Sequence, residues 1–170
     1  MESLVKKARL GNDDAFYELI QQRKELLYRT AYAYVKNQED ALDIVSDTVY
    51  KAYKSLRKLK EPAFFNTWLT RILINCSLDH LKKQKRIMLV KEIADIPEQT
   101  RDFSENLDLR RAVDELDDKC RTVIILKYYH DLTIREVAEV MQCPQGTIKS
   151  YLHRALNSLR VDLKEDWLNA

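Results

Sequence analysis

Apolar residues recur three and four positions apart along most of the chain, which is the spacing of amphipathic α-helices. In the first half, the pattern predicts helices that begin near Ser3, Asp13, Leu26 and Glu39, followed by a longer helix over Thr67–Arg86. Short breaks at glycine, proline or amide residues separate these helices, as expected at capped helix ends. The first half therefore predicts a small helical bundle.

The helical spacing is lost between residues 87 and 104. This segment is acidic and contains Pro97, so it predicts a linker. Beyond it, the spacing returns in a helix that starts at Glu105 or Asn106 and in another after Asp118. We therefore predict an all-α protein with two small helical domains, residues 1–86 and 105–170, joined by a flexible linker over residues 87–104.

The stretch Asp131–Arg160 predicts two short helices across a tight turn. Asp131 or Thr133 would cap the first helix, and the segment Gln142–Gly146 interrupts the apolar spacing. On the second helix, an apolar side is expected to pack: Ile148, Leu152, Ala155, Leu156 and Leu159. The opposite side is polar or cationic: Lys149, Ser150, His153, Arg154 and Asn157.

No acidic residue lies between Thr147 and Arg160, so the outward side of this second helix is cationic and rich in hydrogen-bonding groups. Such a helix fits the major groove of duplex DNA. The pattern predicts a helix-turn-helix motif with a recognition helix. The alternative for this segment alone is a helical hairpin with a solvated basic face.

Composition supports the helical interpretation and narrows the class of protein. The 170 residues include only two glycines and three prolines, and 45% of them are hydrophobic, which excludes general disorder. There is no apolar run behind a basic N-terminus and no stretch of about eighteen apolar residues, so we expect a cytoplasmic protein.

The cysteines and histidines give no sign of a metal site or a catalytic centre. Cys76, Cys120 and Cys143 are far apart and lack metal-ligand spacing, so we expect reduced thiols, no metal and no cofactor, with Cys76 and Cys120 packed. The three histidines lie on separate segments, and no nucleophile, phosphate-loop or metal-ligand arrangement occurs. An enzyme is not expected.

The net charge is only +2, but the charges are separated into blocks. Lys51–Lys60 carries five cations, Lys82–Arg86 reads KKQKR, and Glu39–Asp47 holds four acids. These blocks predict separate surfaces for different partners. Asp40, Asp43 and Asp47 align at helical spacing; they either stabilise the N-terminus of their helix or form an acidic stripe for a basic partner.

One face of the helix over Thr67–Arg86 combines an aromatic, an amide and cations: Trp68, Arg71, Asn75, Asp79, Lys82 and Arg86. The preceding loop adds Phe64, Phe65 and Asn66. Single-stranded DNA is bound by such a mixture, because bases stack on aromatics while cations follow the backbone. The alternative is that Trp68 and the two phenylalanines are core residues. His80 lies on the opposite side and is expected to be packed.

Four runs, in the same order as in the family, resemble bacterial RNA polymerase sigma factors of the extracytoplasmic-function (ECF) group of the sigma-70 family. They are GNDDAFYELI at Gly11–Ile20, LYRTAYAYVKNQEDALDIVSDTVYKAY at Leu27–Tyr53, FNTWLTRILINCSLDHLKK at Phe65–Lys83 and DLTIREVAEVMQCPQGTIKSYLHRAL at Asp131–Leu156. Each run alone is a weak signal. Together they cover nearly the whole chain.

The resemblance implies an alternative sigma factor with a region-2 domain that melts and reads the promoter −10 element and a region-4 helix-turn-helix domain that reads the −35 element. It implies as partners core RNA polymerase, through the β′ clamp helices and the β subunit, and promoter DNA. It further implies control by an anti-sigma factor, which can be membrane-bound, and a role in the stress response. No small-molecule substrate is implied.

Carried over residue by residue, the resemblance and the helix faces predict three sites. The core-polymerase site comprises Asp40, Asp43, Ile44, Asp47 and Thr48. The −10 site comprises Phe64, Phe65, Asn66, Trp68, Arg71, Asn75, Asp79, Lys82 and Arg86. The −35 site comprises Thr147, Lys149, Ser150, Tyr151, His153, Arg154 and Asn157.

Two residues depart from the pattern of the family. Gln142 stands in the turn where glycine is frequent, and Tyr151 stands where arginine is frequent, so the usual contact at that position is in doubt. The remaining rival is a stand-alone helix-turn-helix regulator whose N-terminal half senses a ligand or dimerises. Such a regulator would bind its duplex tightly without polymerase.

Overall fold

The chain divides into two compact units, Met1–Ile96 and Pro97–Ala170. The structure is a computed structural model that describes residues 1–91 and 112–168, with side chains described for residues 1–87 and 112–160. Throughout these ranges the regular secondary structure is helical. The prediction of an all-α protein with two helical domains is confirmed.

Unit 1 is built from five α-helices and two short 3₁₀ turns. The helices are α1 (Glu2–Arg9), α2 (Asp13–Gln21), α3 (Lys24–Val35), α4 (Gln38–Ser55) and α5 (Phe65–Lys91). The 3₁₀ turns, Leu56–Lys58 and Pro62–Phe64, connect α4 to α5. Helix α5 packs against α3 and α4, and α1 packs against α2.

Side-chain caps set where the helices of unit 1 begin. Asn12 Oδ1 accepts a hydrogen bond of 2.7 Å from the Ala15 N–H, and Asn37 Oδ1 accepts one of 3.0 Å from the Asp40 N–H. Each cap satisfies a backbone donor that the first turn of a helix leaves open. The cap at Asn37 fixes the start of α4 and with it the orientation of the acidic residues that follow.

The core of unit 1 takes buried side chains from all five helices. Its largest fully buried side chains include Leu19, Ile44, Phe65 and Leu73. The free cysteine Cys76 is buried beside them, as predicted. Burial of the apolar side of α5 turns its polar side outward, so the fold exposes the face that was predicted to bind DNA.

Unit 2 contains the predicted helix-turn-helix. Residues 112–115 are helical and are followed by α6 (Asp118–Ile124), a π-helical turn (Ile125–Tyr129), α7 (Ile134–Met141) and α8 (Gln145–Leu168). Among the side chains of α8 that the structure describes, Ile148, Ala155 and Leu159 are buried. Leu156, which was expected to pack with them, is instead 40% exposed, because it lies at the edge of the apolar stripe.

Helix α7 begins with a capping box rather than at Asp131. The Thr133 hydroxyl accepts from the Glu136 N–H, and the Glu136 carboxylate accepts a 2.8 Å hydrogen bond from the Thr133 N–H. The bonds from the Thr133 backbone and then from its hydroxyl lower the pKa of Glu136. The capping box satisfies two open backbone donors and fixes the start of the helix-turn-helix.

Gln142 ends α7 in the left-handed conformation, with φ 54° and ψ 40°. A side chain is strained there, whereas glycine is not.

We expect Gln142→Gly to raise the free energy of unfolding of unit 2 by about 0.5–1 kcal/mol, because the relieved strain exceeds the added freedom of the unfolded chain. Calorimetric unfolding measures this change. Gln142→Ala keeps the Cβ and is the control; equal stabilisation by alanine would contradict the explanation.

Two predicted helix boundaries are wrong. Helix α5 begins at Phe65 rather than Thr67, and it continues to Lys91 beyond the expected end at Arg86. Residues 87–91 of the predicted linker are therefore helical, while residues 92–104 and the predicted helix start at Glu105 or Asn106 lie outside the described residues. The linker and domain boundaries otherwise stay predictions.

Membrane spans and metal sites are two features that would change the class of protein. Within residues 1–91 and 112–168, no helix is long and apolar enough to cross a membrane. In the same ranges, no group of three His, Cys, Asp or Glu side chains could hold a metal ion. Cys120 is a buried free thiol, as predicted, and Cys143 is a half-buried one.

Candidate nucleic-acid and polymerase interfaces

The acidic residues of α4 differ in how far they are available to a partner. Asp43 and Asp47 are exposed. Asp40 is only 27% exposed, and both of its carboxylate oxygens have intramolecular partners on α5. Of the three aspartates predicted to form the acidic stripe, Asp43 and Asp47 are therefore the two that present their negative charge outward to a basic partner.

Ile44 and Thr48 do not lie on the surface of unit 1. Ile44 is 1% exposed and Thr48 is fully buried, and the Thr48 hydroxyl donates a 2.7 Å hydrogen bond to the Ile44 carbonyl. They share the apolar side of α4 with Ala41 and Ala52. Their assignment to the polymerase-binding surface is corrected, because they pack α4 against the core. Their helical spacing with the two alanines is the sequence pattern that indicates this burial.

His80 connects α5 to the start of α4 instead of being simply packed. Its Nε2 lies 3.1 Å from Asp40 Oδ1, and the two side chains are 22% and 27% exposed. One turn further along α5, Gln84 Nε2 donates a 2.7 Å hydrogen bond to Asp40 Oδ2. No pattern in the sequence indicates this link, because its residues lie on two helices about forty positions apart.

The predicted −10 face of α5 is brought together by the helix. Its exposed members are Asn75, Asp79, Lys82 and Arg86, whereas Arg71 is half-buried. Lys82 Nζ and Asp79 Oδ1 are 4.0 Å apart on the surface, so this ion pair is weak. The face offers cations for phosphates and an amide for hydrogen bonds along one side of a single helix.

The aromatic residues beside this face are divided between surface and core. Phe64 is 48% exposed, while Phe65 is 1% exposed and belongs to the core. Phe65 is therefore corrected from a DNA contact to a core residue. Trp68 is half-buried with its ring centroid 5.9 Å from that of Phe65, so only part of it can meet a ligand. Asn66 is also half-buried, and its Oδ1 accepts no hydrogen bond from the described residues.

The predicted −35 face of α8 is largely solvent-exposed. Lys149, Ser150, His153, Arg154 and Asn157 are exposed, and Thr147 and Tyr151 are half-buried. Within this face, the Ser150 hydroxyl donates to the Gly146 carbonyl at 3.0 Å, and His153 Nε2 lies 3.1 Å from Asn157 Nδ2. The recognition helix thus presents cations and hydrogen-bonding groups along one accessible side, the arrangement used to contact duplex DNA.

The Tyr151 ring has two cationic neighbours. The Arg154 guanidinium carbon lies 5.1 Å from the ring centroid, and Lys119 Nζ lies 5.7 Å from it. Lys119 is exposed and belongs to α6. No pattern in the sequence indicates Lys119 as part of a site, because only the fold places it beside the recognition helix.

These surfaces define a helical protein with a helix-turn-helix in one unit and a second candidate nucleic-acid surface in the other. A family model described as Sigma-70 region 2 matches residues 19–87, and one described as Sigma-70, region 4 matches residues 106–159. The first match includes the acidic stripe and the α5 face, and the second includes the helix-turn-helix.

Full-length relatives agree with the family models. RNA polymerase sigma factor SigV of Bacillus subtilis (strain 168) is 38% identical over 150 residues, which cover 86% of this chain and 90% of that protein. ECF RNA polymerase sigma factor SigW of the same organism is 30% identical over 189 residues, which cover 97% and 100% of the two proteins. The chain belongs to the ECF group of the sigma-70 family of RNA polymerase sigma factors.

Solved structures share the fold. The sigma factor RpoE in complex with the anti-sigma factor NepR from Bartonella quintana has a TM-score of 0.71 and 26% identity, with 86% of this chain and 97% of that chain covered. CnrH in complex with the cytosolic domain of CnrY has a TM-score of 0.74 and 23% identity, with 97% of both chains covered. The second likeness shows the fold alone.

Proposed function

We propose that this chain, as an alternative sigma factor, divides promoter-specific initiation among three surfaces. The exposed side of α8 reads the −35 duplex, the exposed side of α5 together with Phe64 captures the −10 strand, and the outer side of α4 binds the β′ clamp helices of core RNA polymerase. The observation that carries the proposal is that each predicted face keeps exposed side chains of suitable chemistry after the core has formed.

The −35 and −10 surfaces suit different forms of DNA. On α8, Lys149 and Arg154 are positioned for phosphates or guanine edges, and Ser150 and Asn157 add hydrogen-bonding groups. On α5, Lys82 and Arg86 follow a strand backbone while the exposed Phe64 offers a ring for stacking. Unpairing costs roughly a few kcal/mol per captured base, which stacking and pocket contacts offset.

The polymerase-binding surface depends on Asp43 and Asp47. Both carboxylates are exposed on α4, beyond the residues that stabilise the first helical turn. They complement a basic helix surface and favour a fixed orientation on the polymerase. The protein acts by binding and positioning, without covalent chemistry, and works in the cytoplasm, where the polymerase and the promoter are found.

An anti-sigma factor is the proposed regulator of this chain. The RpoE structure, which is 26% identical and covers 86% of this chain, contains the anti-sigma factor NepR. A partner that covers the exposed faces of α5 and α8 would block both DNA-binding surfaces at once.

Run-off transcription with purified core polymerase tests the proposal. We expect the chain to confer initiation at discrete promoters in fragmented DNA of its own genome, and core polymerase alone to give none. No promoter-specific initiation on any template would contradict the sigma-factor assignment. The free chain is expected to bind the same promoters weakly in a mobility-shift assay; tight specific binding without polymerase would favour the stand-alone regulator.

A further inference from the structure

Tyr151 occupies a position between the recognition helix and the core of unit 2. It is half-buried and packs against the cluster that contains Ala112, Leu116 and Cys120. Its two cationic neighbours, Lys119 and Arg154, are both exposed. One side of the tyrosine is therefore fixed by the domain, while the ring remains accessible to cations on the outer surface.

The backbone at Tyr151 also contacts α6. The Cys120 thiol donates a 3.5 Å hydrogen bond to the Tyr151 carbonyl. Burial is the main cause that raises the pKa of Cys120 to about 11, so the thiol keeps its proton at neutral pH and remains a donor. This bond connects α6 to α8 at the level of the ring and limits movement of Tyr151 along the interface.

Both cations lie within the range of a cation–π interaction. The Arg154 guanidinium carbon is 5.1 Å and Lys119 Nζ is 5.7 Å from the ring centroid, and attraction is significant within about 6 Å. Arg154 lies one turn beyond Tyr151 on the same helix, whereas Lys119 reaches the ring from α6. The ring thus gathers cations from two helices at one place.

The nearby carboxylate of Asp117 is used by the helix cap. Its Oδ1 accepts hydrogen bonds of 3.0 Å from the N–H groups of Lys119 and Cys120. The bond from the Cys120 N–H is the main cause that lowers the pKa of Asp117, and the charge of Arg154 contributes. Asp117 therefore keeps its charge near Arg154 while its Oδ1 is held by the cap, and the ring of Tyr151, 5.1 Å from the guanidinium carbon, is a second neighbour that orients Arg154 without neutralising it.

We propose that Tyr151 is a positioning residue for −35 recognition, which holds Arg154 in its DNA-reading orientation and brings Lys119 onto the same surface as an additional phosphate contact. The inference rests on the proposed function and assigns Tyr151 a role through its neighbours rather than through a contact of its hydroxyl with DNA. A long cation that is already ordered loses less rotamer entropy when it binds, so the ring strengthens the Arg154 contact.

A double-mutant cycle with the holoenzyme tests this inference. The probe is the promoter that wild-type holoenzyme selects from a duplex pool randomised at the −35 element, and the measured quantity is its dissociation constant. Tyr151→Leu should weaken binding about two- to fivefold, the loss expected for an exposed cation–π contact. Tyr151→Phe keeps the ring and should bind like the wild type. Arg154→Ala should weaken binding, and adding Tyr151→Leu to it should cost less than it does in the wild type, because only the contact of Lys119 is then left to lose.

Independent losses that multiply in the double variant would overturn the inference, because Tyr151 would then not act through Arg154. So would a Tyr151→Phe variant as weak as Tyr151→Leu, since that result would assign the role to the hydroxyl. A merely structural role for the ring would lower stability without making the two losses depend on each other.

Lys119→Met tests the second cation. It should reduce the slope of binding affinity against salt concentration by about one phosphate contact. An unchanged slope would remove Lys119 from the site.

A spectroscopic measurement on the unsubstituted chain makes the test independent of folding defects in the variants. The ring current of Tyr151 should shift the side-chain proton resonances of Arg154 upfield, and Tyr151→Phe should preserve that shift. Absence of the shift in the wild-type chain would overturn the inference. If the holoenzyme initiates at promoters but the losses from Tyr151→Leu and Arg154→Ala are independent, only the role of Tyr151 is contradicted. If the holoenzyme never initiates, the proposed function is contradicted.

Discussion

Replacement of Phe65 with alanine is expected to lower the free energy of unfolding of unit 1 by about 3–5 kcal/mol, as is typical when a buried phenylalanine is truncated. Phe65 is 1% exposed and contacts the core between α4 and α5. Its ring also packs near that of Trp68, with 5.9 Å between their centroids. Denaturant unfolding followed by circular dichroism measures the loss, which should appear in the transition of unit 1.

Phe64→Ala is the matched control, because it removes the same side chain one position earlier from a site that is 48% exposed. It should change stability by less than about 0.5 kcal/mol, as exposed substitutions usually do. If Phe64 stacks on an opened base, the same variant should weaken promoter opening by holoenzyme, measured by permanganate reactivity of unpaired thymines. Equal loss of stability in the two variants would contradict the separation of surface from core at this turn.

Reversal of both exposed acids on α4, in the double variant Asp43→Lys/Asp47→Lys, should weaken binding to core polymerase by about 100-fold or more. Like charges brought together at an interface cost several kcal/mol, and each 1.4 kcal/mol corresponds to a factor of ten. Both side chains are exposed, so the fold should persist. Fluorescence anisotropy of labelled chain titrated with core polymerase measures the affinity.

Glu18→Lys/Glu25→Lys is the matched control for charge. It makes the same change in net charge on α2 and α3, at residues that are also exposed. Its affinity for core polymerase should stay close to that of the wild type. If the two double variants lose affinity equally, net charge rather than the acidic stripe determines binding, and the role assigned to Asp43 and Asp47 is wrong.

The sequence predicted the helices and the helix-turn-helix because both leave a local signal. Apolar spacing located α4 and α8, and the sequence left Asp131 and Thr133 as alternative caps of α7, of which the structure uses Thr133. The same helical spacing indicates that Ile44 and Thr48 are buried, because they lie on one side of α4 with Ala41 and Ala52. The family resemblance placed these two residues on the polymerase-binding surface, and that prediction was wrong.

What the sequence could not predict depends on contacts between helices. Phe64 and Phe65 are adjacent, yet Phe64 ends a 3₁₀ turn on the surface while Phe65 begins α5 and enters the core, and the packing of α5 decides between them. The position of Lys119 beside Tyr151 depends on how α6 packs on α8. Neither arrangement has a pattern in the sequence, because each is a consequence of tertiary packing.

The link from Asp40 to His80 and Gln84 gives unit 1 a mechanical property. It braces the first turn of α4 against α5, a helix of 27 residues that is about 40 Å long. A partner that binds the outer side of α4 therefore also fixes the position of the neighbouring stretch of α5, which carries the exposed Lys82 and Arg86. On the proposed function, the opened strand on α5 is thus held at a fixed distance from the polymerase on α4.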